Sequence, residues 1–298
     1  MINPDSVKTK LKTKAQIRGH MLQEELTTYG LERTLYRISI SDYADKFTLK
    51  GGIFLYAIFA GNFTRVTSDI DLLANEIDNE IKNIKKIFEE IFSIDVDDAL
   101  KYDIKSLDIK TITEFKLYQG VNVSIIAYLD RTRIPISIDI GFGDIIYPDR
   151  MIMDFPSLLD MEIPKIYTYT LNSVIAEKLE AIVSLGYVNS RYKDFYDVYI
   201  LAHSYDFIGK ELKKAIEETF IHRKTGFDDI VAFEKSFAED TIRSMRWNSF
   251  IKKKKAMVVV DFISVIHLMK DFLEPVIEKI ITNEEMDSIW NSRIKEWI

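Results

Sequence analysis

Two aspartates two residues apart, Asp69 and Asp71, stand in the run Asp-Ile-Asp-Leu-Leu, where charged and apolar side chains alternate. Alternation with a period of two marks a half-buried strand, and on a strand residues i and i+2 leave the same face. Two carboxylates aimed into one small volume repel each other unless a cation sits between them. A hard divalent ion with oxygen ligands meets that need. Mg2+ fits best where phosphates are handled, with Mn2+ as the alternative. The spacing alone also arises by chance on solvated strand edges, so its surroundings must decide.

Three features of those surroundings favour the chemical reading. Gly51-Gly52 follows the short strand-like run Phe47-Thr-Leu-Lys50 and precedes the apolar, helix-like run Ile53 to Ala60. Glycines at such a turn let backbone N–H groups approach a phosphate, and a helix N-terminus favours its negative charge. Arg65 and Thr67 then lead into Asp69 on the same alternating register, which sets a guanidinium and a hydroxyl beside the carboxylates. Finally, Ile134-Pro-Ile136-Ser-Ile138-Asp139-Ile140 carries isoleucine at every second place, with Asp139 on the opposite face. A third carboxylate on a neighbouring strand is what a two-metal phosphoryl-transfer site requires. Asp144 is its rival, but it lies beyond Gly141 and Gly143 in a loop-like stretch, and Asp139 is preferred.

A second group of charges lies further along. Lys178 falls on a helix that Thr170 could cap, at the border of the apolar face, where a lysine commonly lays its stem along the core. In Arg191-Tyr-Lys193-Asp194-Phe-Tyr-Asp197, helical spacing puts Arg191, Asp194 and Asp197 on one side, with Lys193 four before Asp197. Pairs at these spacings form ordinary helix-surface salt bridges. The functional alternative is that Lys178, Arg191 and Lys193 neutralise phosphates while Asp194 orients them or assists proton removal. The run Lys252 to Lys255, with Arg243 and Arg246 before it, suits either an RNA backbone or a solvated face. The four histidines, His20, His203, His222 and His267, form no metal-binding spacing.

The elements that must position these residues follow from the wider pattern. The chain has 298 residues, 47% of them hydrophobic, with only 11 Gly and 6 Pro, which suits long regular elements around a sizeable core. With no cysteine, disulfides, zinc-thiolate sites and thiol nucleophiles are excluded, and a reducing cytoplasm is the expected location. No signal peptide and no membrane span are expected from its hydropathy. A net charge of −7 argues against nonspecific coating of nucleic acid. The first fifty residues read as helical, Ile81 to Phe92 as an amphipathic helix, and Val121 to Leu129 with Ile134 to Gly141 as strands joined by a turn at Arg131-Thr-Arg133. Within 107 to 145 the segments are β-rich. Pro148, Pro156 and Pro164 mark a connector, and from about Leu171 helical patterning dominates. The expected organisation is an α/β unit to about residue 165 and a helical one after it.

Leu49-Lys50-Gly51-Gly52 followed by Arg65-x-Thr67-x-Asp69-Ile-Asp71-Leu resembles the AbiEii/AbiGii toxin family of nucleotidyltransferases, within the polymerase-β-like superfamily. Tyr29-Gly-Leu-Glu-Arg33-Thr-Leu-Tyr-Arg37, Ala176-Glu-Lys178-Leu-Glu-Ala181, Arg191 to Asp197, Thr219-Phe-x-x-Arg223-x-Thr225 and Trp247-x-x-Phe250 are similar to that family as well. The resemblance implies an α+β fold: a nucleotidyltransferase domain over 1–165, with a mixed sheet flanked by helices, then a helical domain over 166–298 completing the site. It implies Asp69, Asp71 and Asp139 as metal ligands and, with Asp194, as catalytic residues. It also implies Gly51, Gly52, Arg65, Thr67, Lys178, Arg191, Lys193 and Asp197 as the nucleotide-binding set, with Lys178 on the triphosphate. The expected substrate is an NTP with Mg2+, and the expected acceptor is RNA, in particular the tRNA 3′ end. The expected biology is a monomeric toxin of abortive phage defence, restrained by an antitoxin encoded nearby. One departure is that the superfamily usually has Gly-Ser where this chain has Gly51-Gly52, so a hydroxyl contact to phosphate is lost while backbone contacts remain. The alternatives are a transferase acting on a small molecule such as an antibiotic, and a nucleotide-binding scaffold without turnover.

Overall fold

The computed structural model describes residues 2–62, 65, 67–112, 120–227 and 230–298. The chain divides into two compact units, one of Met1–Phe63, Thr67–Gly143 and Met151–Thr168, the other of Thr64–Val66, Asp144–Arg150 and Tyr169–Ile298. The first unit contains α1 (Pro4–Arg18), α2 (Leu22–Ser39), β1 (Phe47–Lys50), α3 (Gly51–Ile58), β2 (Ile70–Ala74), α4 (Ile81–Phe92), β3 (Leu100–Ile112), β4 (Gly120–Leu129), β5 (Thr132–Phe142), β6 (Met151–Asp154) and β7 (Lys165–Thr168). Among the described residues its strands form one seven-stranded mixed sheet in the order β3-β4-β5-β2-β1-β7-β6. β2 pairs with β5 and β1 with β7 in parallel, and the other neighbours run antiparallel.

Period-two patterning decides which face of this sheet is buried. β4 buries Val121, Val123, Ile125, Ala127 and Leu129, and β5 buries Ile134, Ile136, Ile138 and Ile140. Of the residues between them, Asn122, Ser137 and Asp139 are half-buried on the other face. α2 packs closely on the isoleucine ladder: a Cβ on Gly30 would lie 2.7 Å from Ile136 Cδ1. α4 presents Ile84, Ile87, Phe88, Ile91 and Phe92 to the core. Each such buried side chain contributes about 1.5–3 kcal/mol relative to exposure. Its outer face carries the i,i+4 pairs Lys85–Glu89 and Lys86–Glu90. Beneath α2, Asp98 receives hydrogen bonds from both Arg33 and Arg37, so this buried carboxylate is compensated by two guanidinium groups.

The second unit is mainly helical, with α5 (Leu171–Leu185), α6 (Tyr192–Ser204), β8 (Phe207–Ile208), α7 (Gly209–Arg223), α8 (Lys235–Ala238), α9 (Thr241–Lys253), α10 (Phe262–Ile281), β9 (Ile289–Asn291) and β10 (Glu296–Trp297). Thr170 caps α5 as expected, its hydroxyl accepting from the Ser173 N–H. Trp247 and Trp290 are fully buried, and each indole N–H donates to a backbone carbonyl, of Val260 and Ala202 respectively. Among the described residues no helix is long and apolar enough to cross a membrane.

The structure corrects several expectations. The β-rich region starts at Leu100, ahead of residue 107, and the β4–β5 turn lies at Asp130-Arg131, ahead of Arg131-Thr-Arg133. The proline-marked stretch holds the β6–β7 hairpin, and β7 carries the sheet through Thr168. The helical region also holds a small antiparallel sheet, β10-β9-β8.

Candidate active site

β1 ends at Lys50 and α3 begins at once with Gly51, whose φ of 70° lies in the left-handed region that favours glycine. From there the pairing registers lay a polar row across four strands. Lys50 lies opposite Asp71, Asp71 opposite Asp139, and Asp139 opposite Asn122. The row occupies the face away from the isoleucine ladder. Asp69, one residue ahead of β2, joins it: one carboxylate oxygen each from Asp69, Asp71 and Asp139 lie within 4.8 Å of one another. All three residues are half-buried.

Each carboxylate is positioned by a different device. Asp69 Oδ1 accepts from Thr67 Oγ1 at 3.0 Å and from the Ser68 N–H at 3.2 Å. Asp71 fills the space that a side chain at Gly51 would need, since a Cβ there would lie 1.8 Å from Asp71 Oδ2. Asp139 Oδ1 accepts from Asn122 Nδ2 at 2.6 Å, and the same amide nitrogen donates to Ser137 Oγ at 2.9 Å. Three carboxylate oxygens held this close make an all-oxygen donor set, which suits a hard divalent cation. Asp144, the rival third carboxylate, is engaged elsewhere: Arg223 Nη2 lies 2.7 Å from it, in the second unit. That arginine also reaches Glu177 at 3.1 Å and Glu180 at 2.7 Å.

The remaining candidate residues meet in the second unit, in a chain of buried ion pairs. Arg65 is bidentate on Asp197, with Nε to Oδ1 at 2.7 Å and Nη2 to Oδ2 at 2.8 Å. Lys178 Nζ bridges Asp197 Oδ2 at 2.7 Å and Asp194 Oδ1 at 3.0 Å, and Arg191 Nε holds Asp194 Oδ2 at 2.7 Å. Burial works to raise the pKa of Asp194, but the charges of Lys178 and then Arg191 outweigh it and hold the carboxyl well below its ordinary range. Asp197 follows the same pattern, with Arg65 and Lys178 lowering it against burial. Burial pulls Lys178 down, yet Asp197 and Asp194 leave it raised. Lys193 is half-buried and adds to the field on Asp194. The sequence register had set the Arg65 guanidinium beside Asp69 and Asp71, whereas its fork is directed at Asp197, 132 positions away. The helix-face spacing of Arg191 and Asp194 does form the i,i+3 pair. Asn122 and Ser137 escaped the sequence reading altogether.

The model of one protein family, nucleotidyl transferase AbiEii toxin of type IV toxin–antitoxin systems, matches residues 33–261 of this chain. The chain belongs to the AbiEii toxin family. This AbiEii chain is therefore a nucleotidyltransferase, and the toxin–antitoxin family to which it belongs implies an antitoxin partner and a nucleotide substrate. Two solved structures are also similar to it. One is described as a nucleotidyltransferase from H. pylori, at 13% identity and a TM-score of 0.49, covering 87% of this chain and 97% of the other. The second is JHP933 from Helicobacter pylori, at 13% identity and a TM-score of 0.46, covering 85% of this chain and 92% of the other. No curated protein matches this AbiEii chain.

Proposed function

We propose that this chain transfers a nucleoside monophosphate from an NTP to an RNA acceptor, the 3′ end of tRNA being the specific case, with Asp69, Asp71 and Asp139 as ligands of Mg2+. The reading rests on one observation: Asp69 just ahead of β2, Asp71 on it and Asp139 on the neighbouring β5 bring an oxygen each within 4.8 Å, beside the glycine turn that opens α3. Divalent ions held there would screen the triphosphate and make an attacking hydroxyl more acidic. The acceptor hydroxyl oxygen bonds to the α-phosphorus, the bond to the bridging oxygen of the β-phosphate breaks, and pyrophosphate leaves. The hydroxyl proton passes to solvent.

The protein's own groups divide the rest of the work. Backbone N–H groups at Gly51 and Gly52 open α3 and suit a phosphate. Thr67 keeps Asp69 in place. In the second unit, Lys178, Arg191 and Lys193 are assigned to phosphate charge, and Arg65 is anchored by Asp197. Asp194 is assigned to orienting its cations: a carboxylate held far below its ordinary range is a weak proton acceptor near neutral pH. Support for an RNA acceptor comes from α9, where Arg246, Lys252 and Lys253 are exposed on a chain of net charge −7. The biological role that fits is a toxin of abortive phage defence.

The test is incubation of the purified protein with each labelled NTP, Mg2+ and total cellular RNA. Label should enter a tRNA-sized product, and Asp69→Ala should abolish transfer while the variant still folds. Label moved to a small hydroxyl compound and never to RNA would select the antibiotic-modifying alternative. Nucleotide binding without pyrophosphate release would select the scaffold.

A further inference from the structure

Asn122 sits mid-strand in β4, on the half-buried face, directly across from Asp139. Asparagine is disfavoured in strand interiors, so its presence there opposes local propensity and calls for a compensating interaction. Its side chain supplies one. Nδ2 donates to Asp139 Oδ1 at 2.6 Å and to Ser137 Oγ at 2.9 Å. Because an ionised carboxylate only accepts, the amide must turn its NH2 group toward Asp139, which fixes the orientation of the asparagine. The second contact fixes it from the side, since Ser137 and Asp139 are two apart on β5 and share a face. Of the three clustered carboxylates, Asp69 accepts from its own neighbours in sequence and Asp71 occupies the space left by the absent side chain of Gly51. Among the contacts described for Asp139, the charge-assisted one from Asn122 comes from a different strand.

We propose that Asn122 is a positioning residue of the cation site: it sets the rotamer of Asp139 so that the carboxylate presents itself to a divalent ion together with Asp69 and Asp71. This rests on the metal-site reading given above. Groups that hydrogen-bond a metal-ligating carboxylate typically change metal affinity by about 10–100-fold when removed. The role does not require Asn122 to touch nucleotide or acceptor. Its loss therefore acts on the cation requirement first and on chemistry only through it.

The experiment titrates Mn2+ into the purified full chain, without nucleotide, and reads bound ion by electron paramagnetic resonance. Wild type, Asn122→Ala and Asp69→Ala are compared, with the metal dependence of pyrophosphate release as the second readout. Asn122→Ala should weaken Mn2+ binding by about 10–100-fold. It should raise the metal concentration needed for half-maximal rate, while the rate at saturating metal stays within about threefold of wild type. Asn122→Ser, which keeps a polar strand face but shortens the donor, is read the same way should the alanine variant not fold. If Asn122→Ala binds Mn2+ within twofold of wild type while Asp69→Ala loses it, the role of Asn122 is refuted and the three-aspartate site stands. If wild type itself binds no Mn2+, the site reading fails and this inference with it.

Discussion

Replacing Gly51 by alanine should damage activity far more than stability, and the two effects can be sized separately. Gly51 has a φ of 70°, and an L-residue in that region costs about 1–2 kcal/mol. Alanine also reduces the freedom of the unfolded chain, but that gain of about 0.4–1 kcal/mol applies only where the native backbone suits it. The net loss of stability is thus about 1–2 kcal/mol. The steric effect is of another order. The new Cβ would stand 1.8 Å from Asp71 Oδ2 and 2.4 Å from its Cγ, where ordinary contact begins at 3.4 Å, so the gap must open by about 1.6 Å. Asp71 can meet that demand only by leaving its place beside Asp69 and Asp139. Misplacing a reacting group by about 1 Å can cost about 100-fold in rate. Pyrophosphate release should therefore fall at least about 100-fold, while the urea midpoint moves modestly. Gly51→Asn separates the causes, because asparagine tolerates the left-handed region yet carries the same Cβ. It should recover stability relative to alanine and remain inactive. An alanine variant turning over within threefold of wild type would show that the glycine does not hold Asp71 where the geometry says it must.

Other perturbations follow from the buried charges. Asp197→Ala leaves Arg65 and Lys178 buried and facing each other, so stability should drop by about 3–5 kcal/mol in urea titrations. Asp194 and Asp197 have folded pKa values below their unfolded ones, so the stability they contribute is present above about pH 4 and is lost as pH falls through the folded values. Urea midpoints at pH 5 and pH 3 should differ less for Asp194→Asn than for wild type. Glu32 behaves oppositely. Burial outweighs the Leu158 N–H, Arg33 and Ser157 and pushes its carboxyl up to about 7, from 4.5. The folded state then holds its proton longer than the unfolded chain, so stability should fall as pH rises from about 4.5 to 7 by something on the order of 3 kcal/mol. Glu32→Gln should flatten that slope, and an unchanged slope would show that Glu32 is not its source.

What could be read from the sequence was whatever depended on local pattern. The alternation around Asp69 and Asp71, the isoleucines that send Asp139 to the other face, and the stripe of Ile81 to Phe92 are all set by neighbours within a few residues. β3 was half missed because it stands at the sheet edge, where only Leu100 and Leu107 are buried and no apolar run announces it. β6 is the opposite edge, with Met151 and Ile152 exposed, and the prolines nearby suggested a connector. β8, β9 and β10 have two or three residues each, too few for any period to show. The pairing of Arg65 with Asp197 joins positions 132 apart, and nothing local encodes it. Asn122 was closer to reach. The hairpin that joins Leu129 to Thr132 carries Asn122 onto Asp139 by register alone. Placing the turn at Arg131-Thr-Arg133 instead would have set Asn122 against Phe142, so a register slip of three residues hid the partner.

The parallel pairing of β2 with β5 has a consequence for synthesis and breakdown. Parallel neighbours cannot be joined by a tight turn, and here the chain passes through α4, β3 and β4 before Asp139 arrives beside Asp71. A nascent chain that ends before β5, or a fragment clipped within that excursion, carries two of the three acids and no assembled centre. Under the proposed function, nucleotidyl transfer therefore waits on translation of β5, since Asp139 is the last of the three acids to be made.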